Sequence, residues 1–160
     1  FGYPSVGTTV PGIGHRLAVA TSRALESEPA PRVHFVGHSL GGIAIRWMLA
    51  HERPARAGRV VLLAPPNQGS RSADRFAPFV GRLLRPMRDL RTDSGSVVRQ
   101  LPQEPGVPVL IVRAARDGKV SAAETRLDGA VSEAVVGGGH TYVMMRPSAM
   151  RLVEQFLARP

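Results

Sequence analysis

The fold is decided by one stretch of the sequence, Gly37-His38-Ser39-Leu40-Gly41-Gly42. It lies between an apolar run typical of a β-strand, residues 33–36, and an apolar run typical of a helix, residues 43–50. The spacing Gly-x-Ser-x-Gly between a strand and a helix is typical of a nucleophile elbow, which holds a serine on a sharp, strained turn. The stretch therefore predicts that Ser39 is a nucleophile at the carboxyl edge of a sheet. The alternative is a glycine-rich turn with an idle serine.

The glycines around the serine have a steric explanation. So tight a turn requires very small residues two positions before and two positions after the serine, and Gly37 and Gly41 meet that requirement. We expect Gly42 to let the following helix pack close to the strand. His38 is expected to be part of the turn itself.

The remaining apolar runs predict the other layers of the fold. Residues 59–64 and 107–112 are typical of central parallel strands that are covered on both faces, and residues 130–136 form a weaker third run. Helices are expected over residues 15–28 and 148–158. Strands that alternate with helices indicate right-handed crossovers and a parallel sheet, so the predicted class is α/β.

The segment 70–102 contains no strand-like run. Apolar residues fall there at helical spacing: Phe76, Phe79, Val80, Leu83, Leu84, Met87 and Leu90. Arginines, including Arg82, occupy other faces, and Pro78 and Pro86 should bend or break the helix. Because the segment follows a strand's carboxyl end, we expect either a helical cap that gives the substrate an apolar wall or an ordinary helix on the sheet.

Length and composition indicate one globular domain over residues 1–160, with 43% hydrophobic and 21% charged residues. No apolar run is long enough to cross a bilayer, so no transmembrane segment is expected. The absence of cysteine excludes disulfides and thiolate chemistry and leaves the compartment undetermined. The sequence begins with Phe1 rather than Met, and residues 1–3 are typical of the end of a strand, so we expect the N-terminus to be incomplete.

The net charge of +9 comes from 20 arginines and the single lysine, Lys119. Such a balance is compatible with peripheral contact with anionic surfaces. The arginines are scattered, however, and aromatic residues make up only 5% of the chain. Few side chains are therefore available for stacking on bases, and a solvated basic surface is expected rather than nucleic-acid binding.

A serine nucleophile needs a base to remove its proton, and the base needs an orienting carboxylate. Among five histidines, only His140 follows a strand's carboxyl end, after three glycines. The others lie in the predicted strand, in the turn or at helix ends: His34, His38, His15 and His51. His140 is therefore the predicted base, and the alternative is a surface loop histidine.

Asp117 is the predicted acid, because it follows the strand at 107–112 and precedes Gly118, which permits a sharp turn. An Asx turn or a cap for a helix near Ser121 is the alternative role for Asp117. If Asp117 is not the acid, Asp93 and Glu124 are the next candidates. The order serine, aspartate, histidine along the chain fits the order expected for this type of turn.

These pieces together resemble the α/β-hydrolase fold family, and within it the bacterial lipases and esterases. The matching pieces are Gly-Tyr-Pro-Ser at 2–5, Gly-His-Ser-Leu-Gly-Gly at 37–42, Ala-Pro-Pro-Asn-Gln-Gly-Ser at 64–70, Asp-Gly-Lys-Val-Ser at 117–121 and Gly-His-Thr at 139–141. The resemblance implies a serine hydrolase that cleaves carboxylic esters, with Ser39, Asp117 and His140 as a catalytic triad and with no metal or organic cofactor.

The sequence also departs from the family. The central strand that precedes this region in the family, and the loop after it that supplies an oxyanion donor, are not present. The N–H of Leu40, the residue after the serine, can be one donor, and the second has no candidate. We therefore expect the strand before Ser39 to have an unpaired edge and the turnover to be low.

The expected reaction is acyl transfer to water from a small-molecule or lipid-like ester, which the apolar insertion suggests to be uncharged. An acyltransferase that uses the same triad is the nearest alternative. A non-catalytic fragment or interaction domain and a basic lipid- or nucleic-acid-binding module are the alternatives from other classes.

Overall fold

The computed structural model describes residues 1–4, 6–80 and 84–159. Ser5, Arg82 and Leu83 lie outside the described residues, as does the side chain of Val80. Expectations that concern these four are therefore not addressed by the structure.

Four strands and seven α-helices occupy the described residues. The strands are β1 (Val33–His38), β2 (Ala57–Leu63), β3 (Val109–Ala114) and β4 (Ser132–Val136). The helices are α1 (Val10–Ser27), α2 (Leu40–His51), α3 (Arg71–Val80), α4 (Pro86–Asp89), α5 (Val97–Gln100), α6 (Ala122–Thr125) and α7 (Pro147–Leu157), and a 3₁₀ helix spans His140–Met145. Helices follow strands along the chain, which confirms the predicted α/β class.

The strands form one parallel sheet in the order β1-β2-β3-β4. His38 pairs with Leu63, and Leu63 pairs with Val112, so the carboxyl ends of the first three strands lie side by side. In the described part of the chain β1 pairs only with β2, which makes it an edge strand, as expected. Residues 1–3 form no strand, contrary to the prediction, since they do not pair with the free edge of β1 or with any other described strand.

Helices cover both faces of the sheet. On one face Phe35, Leu62 and Ile111 pack against Ile45 and Met48 of α2. Side chains that point the other way pack beneath α7: Val61, Leu63, Leu110 and Val112, against Val153 and Phe156. This alternation explains why β2 and β3 are apolar where they pair with each other, over residues 60–63 and 109–112.

Helix α1 begins five residues earlier than predicted. The Thr9 side chain accepts a hydrogen bond from the Gly12 N–H. Pro11, which has no N–H, fits in the first turn because an N–H there would have no partner within the helix. The carboxylate of Asp89 accepts a hydrogen bond from the Val10 N–H at 2.6 Å. This last contact joins residues 79 positions apart, so local sequence pattern could not reveal it.

Segment 70–102 is helical, as predicted, but its helix is broken. Pro86 begins α4, whereas Pro78 lies inside α3. Phe76 and Phe79 are 52% and 85% exposed, so the apolar side chains of α3 are only partly covered. This segment differs from the rest of the fold, where large apolar side chains are mostly buried.

Candidate active site

Ser39 lies between the last residue of β1 and the first residue of α2. Its φ angle is 51°, in the left-handed region that a residue with a Cβ rarely adopts. The Ser39 N–H donates to the Leu63 carbonyl at 2.9 Å, and the Ser39 carbonyl accepts from the Gly42 N–H at 3.0 Å. Backbone hydrogen bonds thus hold the serine in a strained conformation at the carboxyl edge of the sheet.

Glycine positions around Ser39 differ in how much room they leave. A Cβ at Gly37 would lie 2.6 Å from Ile45 Cδ1 and 2.7 Å from the Gly42 nitrogen, so no side chain fits there. A Cβ at Gly42 would lie 3.2 Å from Leu62 Cδ2. At Gly41 the nearest neighbour is the Tyr3 hydroxyl at 3.3 Å, which is the end of a side chain. The turn is therefore most restrictive at Gly37 and less restrictive at Gly41.

His140 is brought to Ser39 from 101 residues away. It follows β4 and the glycines at 137–139 and begins the 3₁₀ helix. Its Nε2 lies 2.9 Å from Ser39 Oγ, and its Nδ1 lies 2.8 Å from Asp117 Oδ2. Because a carboxylate only accepts hydrogen bonds, Nδ1–H donates to Asp117 and Nε2 is left to accept the Ser39 hydroxyl proton.

Both carboxylate oxygens of Asp117 accept hydrogen bonds. Oδ2 accepts from His140, while Oδ1 accepts from the N–H groups of Lys119 at 2.9 Å and Val120 at 2.8 Å. The Asx turn considered as an alternative role therefore coexists with the bond to His140. Both side chains are buried, with 8% of His140 and 6% of Asp117 exposed, so water competes little with their hydrogen bond.

His38 is part of the turn, as expected, and it also contacts His140, which no local signal in the sequence reveals. Its Nε2–H donates to the carbonyl of His140 at 2.8 Å, and the two rings lie 5.1 Å apart. Burial is the main reason that the pKa of His38 is below its ordinary value, and the charge of a protonated His140 would lower it further. His38 thus fixes the backbone of the residue whose side chain contacts Ser39.

The other histidines have different partners. His15 pairs with Glu52 at 2.9 Å, His34 accepts the Arg59 N–H at 2.8 Å through Nδ1, and His51 stacks on a tryptophan of α2. None of them bonds to Ser39 or to Asp117 in the described ranges.

The alternative acids are also engaged elsewhere. Asp93 pairs with Arg91, and the Glu124 carboxylate accepts from the N–H groups of Arg71 and Ser121. Glu124 thereby closes a capping box on α6 and fixes the start of α3. Neither carboxylate bonds to His140, whose Nδ1 faces Asp117.

A buried arginine connects the elements behind the site. Arg46 of α2 donates to the backbone carbonyls of Asn67 at 3.0 Å and Pro102 at 2.9 Å. Asn67 in turn donates from its side chain to the Thr125 carbonyl at 2.8 Å. Burial, and then the nearby charge of Arg99, lowers the pKa of Arg46 to about 10. One cation thus fixes the loops that flank segment 70–102 by binding carbonyl groups.

Ser39 and His140 open into a cavity of about 780 Å³. Helices α3 and α4 supply one wall, mainly with apolar side chains that include Ala73, Phe76 and Met87. Across the ranges that the structure describes, no group of three metal-binding side chains is arranged to hold an ion. None of the helices described is both long enough and apolar enough to span a bilayer.

Several solved structures share the fold of this chain. The chain is similar to the lipase BlEst2 of Bacillus licheniformis in its mature form, with a TM-score of 0.72, 17% identity, and coverage of 94% of this chain and 74% of the lipase. It is similar to the enol-lactonase of Burkholderia xenovorans, with a TM-score of 0.61, 17% identity, and coverage of 98% and 75%. It is also similar to the carboxylesterase CesB of Bacillus subtilis, with a TM-score of 0.54, 18% identity, and coverage of 97% of this chain and 68% of the esterase.

These structural likenesses establish the fold. No curated protein matches the chain. The pattern that defines the alpha/beta hydrolase family matches residues 2–106, which is more than half of the sequence. The chain belongs to the alpha/beta hydrolase family.

Proposed function

We propose that this protein hydrolyses carboxylic esters through a catalytic triad of Ser39, His140 and Asp117. The observation that carries the proposal is the unbroken line of hydrogen bonds from Asp117 Oδ2 through the His140 ring to Ser39 Oγ, at 2.8 and 2.9 Å. The line ends at a cavity that is large enough for a small ester. Family membership supports a hydrolase activity, and the mechanism below is our inference.

In the first step the Ser39 oxygen attacks the ester carbonyl while its proton passes to His140 Nε2. Asp117 keeps the other ring nitrogen protonated and stabilises the imidazolium that forms. The carbonyl oxygen becomes an oxyanion, and the N–H of Leu40 is placed to donate to it. Leu40 is the first residue of α2, where an N–H has no partner within the helix.

In the second step the tetrahedral intermediate collapses and the bond to the alcohol breaks. His140 returns its proton to the departing alcohol oxygen, and the acyl group stays on Ser39 as an ester. Water then attacks this acyl-enzyme with His140 again as the base, which releases the carboxylic acid and restores the serine. Every proton in this cycle moves through His140 Nε2.

Segment 70–102 acts in this proposal as a cap. Helices α3 and α4 face Ser39 across the cavity, and their apolar side chains would surround the acyl chain and exclude water. Arg46 and Glu124 fix the two ends of this region to the sheet through hydrogen bonds to the backbone. Ala73 and Leu90 of this region also pack in one hydrophobic cluster with Ile43 of α2, so the cap is held beside the serine turn.

A fluorophosphonate probe tests the proposal directly, because it reacts covalently with activated serines. We expect intact-mass and peptide analysis to place one label on Ser39 and none on Ser39→Ala. Ser72→Ala is the matched control: Ser72 lines the same cavity, but its hydroxyl donates to the Lys119 carbonyl at 3.1 Å rather than to a base. Loss of labelling in the control, or a folded parent that takes no label, would contradict the triad.

A turnover assay separates hydrolysis from acyl transfer. With p-nitrophenyl butyrate as the substrate, added alcohols should not increase the rate of p-nitrophenol release or capture most of the acyl group. Product analysis that finds mainly the new ester would favour an acyltransferase, and the labelling result would stay the same.

A further inference from the structure

Three cationic side chains line the same cavity as Ser39 and His140. Arg71 and Arg75 come from α3, and Lys119 comes from the loop that follows β3. No aspartate or glutamate is among the described residues that line this cavity. Its charged lining is therefore of one sign.

None of these three cations forms an ion pair with a carboxylate of the described residues. The carboxylates around these cations already have other partners. Asp74 accepts from Thr92 and pairs with Arg91, and Glu124 accepts from backbone N–H groups. Asp117, two residues before Lys119, accepts from the His140 ring and from the backbone N–H groups of Lys119 and Val120. Most surface arginines and lysines need no partner, but three unpaired cations around one cavity concentrate positive potential inside it.

The amino-terminal end of α3 also borders the cavity, since Ser70, Arg71, Ser72 and Ala73 line it. The first N–H of this helix already donates to the Glu124 carboxylate at 2.6 Å. The positive charge offered to a ligand therefore comes from the three side chains and not from the helix dipole.

Away from these cations and a few serines, the cavity wall is apolar. It is formed by Leu40, Phe76, Leu84, Met87 and Leu90 together with prolines. A ligand that matches both parts needs an apolar chain and one anionic group, since a purely apolar ligand would leave the cations without a partner and a small anion would leave the apolar wall uncovered.

We propose that the natural substrate is an amphiphilic ester that carries a carboxylate or phosphate group, which Arg75 and Lys119 bind with Arg71 while the apolar wall holds the chain. This specificity rests on the proposed ester hydrolysis at Ser39. It replaces the expectation, based on the apolar pattern of segment 70–102, that the substrate is uncharged. The unpaired cations in the cavity could not be assigned from the sequence, where arginines are scattered.

A matched pair of esters tests this specificity by turnover. The pair is the mono-p-nitrophenyl ester of adipic acid and p-nitrophenyl hexanoate, which differ in a terminal carboxylate. We expect the ratio of their kcat/KM values, anionic over neutral, to fall about tenfold in the double variant Arg75→Gln/Lys119→Gln, since each of these exposed charges contributes roughly three- to fivefold. Arg151→Gln, an exposed arginine of α7 outside the cavity, is the control and should keep the parent's ratio.

Binding tests the anion site without relying on turnover. With the Ser39→Ala variant, titration calorimetry should show that hexyl phosphate binds about tenfold or more tightly than 1-hexanol at low salt. The difference should shrink in the presence of about 0.5 M sodium chloride, which screens exposed charges, and in the double variant. Equal affinity of the two probes, or an unchanged difference in the double variant, would overturn the proposal.

The two proposals fail in different ways. If neither ester is cleaved and the fluorophosphonate does not label Ser39, the proposed function is wrong, and the hexyl phosphate titration still decides the anion site. If both esters are cleaved but the ratio is the same in the parent and the double variant, and hexyl phosphate binds no better than 1-hexanol, only the anion site is wrong. Thermal unfolding of each variant identifies any that does not fold.

Discussion

The turn that holds Ser39 and the loop that holds His140 place their side chains by different means. The turn is fixed by its own backbone: Ser39 bonds to Leu63, and a Cβ at Gly37 would collide with Gly42. The loop follows three glycines, and a Cβ at Gly137 would have no neighbour within 4 Å. There His140 is positioned by the side chains of distant residues: Asp117 accepts from the imidazole at 2.8 Å, and His38 donates to the backbone carbonyl at 2.8 Å.

This difference separates stability from chemistry. Substitutions in the turn disturb close packing between β1 and α2 and should be felt in folding. Substitutions in the loop remove single hydrogen bonds at the surface of the core and should be felt mainly in catalysis. Measurements of activity and of thermal unfolding on the same variants therefore test the comparison.

The largest effect is expected for His140→Ala. Without the base, the Ser39 hydroxyl keeps its proton, and kcat should fall by roughly 10⁵- to 10⁶-fold. The unfolding temperature should change by less than about 3 °C, because the turn does not depend on the imidazole. Steady-state ester hydrolysis measures kcat, and differential scanning calorimetry of the same preparation measures the unfolding temperature. A variant that keeps a tenth of the parent's kcat would show that His140 is not the base.

Asp117→Asn should be less severe, with kcat lower by about 10³- to 10⁴-fold. The amide oxygen can still accept from the N–H groups of Lys119 and Val120, so the turn survives. The amide N–H₂ then faces His140 Nδ1 and can only donate to it. This favours the tautomer that is protonated at Nε2, which cannot accept the Ser39 proton.

The matched control for Asp117→Asn is Asp93→Asn, which removes a carboxylate that pairs only with Arg91 among the described residues. Its kcat should equal that of the parent within about twofold. If the two variants exchanged their effects, Asp93 would become the acid and the assignment of Asp117 would be wrong.

These two regions also differ in how far the sequence predicts them. The strand, turn and helix around Ser39 are local, so the spacing of Gly37, Ser39 and Gly41 was enough to place the serine at the sheet edge. The predicted topology reduced the number of candidate partners for Ser39, because only residues that follow a strand's carboxyl end can reach the edge of the sheet where Ser39 lies. Sequence position alone could not show that Asp117 contributes both an Asx turn and a bond to His140.

Contacts between distant residues were not accessible from the sequence. The start of α1 depends on Asp89, and the backbone of His140 depends on His38, which lies 102 residues away. Hydrophobic periodicity also left two roles open for α3, a helix covered by the sheet or a cap with an apolar wall, and Phe76 and Phe79 are exposed, with Phe76 in the cavity wall. The periodic pattern identifies a helix but cannot say which neighbour, if any, covers it.

Gly37→Ala and Gly137→Ala compare the two regions with the same chemical change. The first forces a methyl group into a space of 2.6 to 2.8 Å and should lower the free energy of unfolding by about 1–3 kcal/mol, or roughly 5 °C in unfolding temperature. The second meets no atom within 4 Å and should change the unfolding temperature by about 1 °C or less. Equal shifts in differential scanning calorimetry would remove the distinction between a packed turn and an open loop.

His38 connects the two regions, so its removal should have a smaller but informative effect. His38→Leu loses the donor to the His140 carbonyl, and kcat should fall about five- to tenfold with KM nearly unchanged. His38→Gln, whose amide can donate to the same carbonyl, should recover most of the loss. A positioning role predicts this rescue, whereas a role in packing alone predicts equal losses for both variants.

The smallest effect is a dependence of stability on pH that His38 should cause. Burial, more than the charges of His140 and Lys119, keeps the pKa of His38 in the folded protein below its ordinary value. As the pH falls through about 6.5, the unfolded chain therefore takes up the proton first, and the stability that neutral His38 provides is lost progressively until the pH passes its folded pKa. Unfolding temperatures measured from pH 7.5 down to pH 5, both taken as approximate limits, should decline more steeply for the parent than for His38→Gln. The control is His51→Gln, at the exposed end of α2, whose unfolding temperatures should follow those of the parent. If the curves of the parent and of His38→Gln were parallel, protonation of His38 would cost no stability.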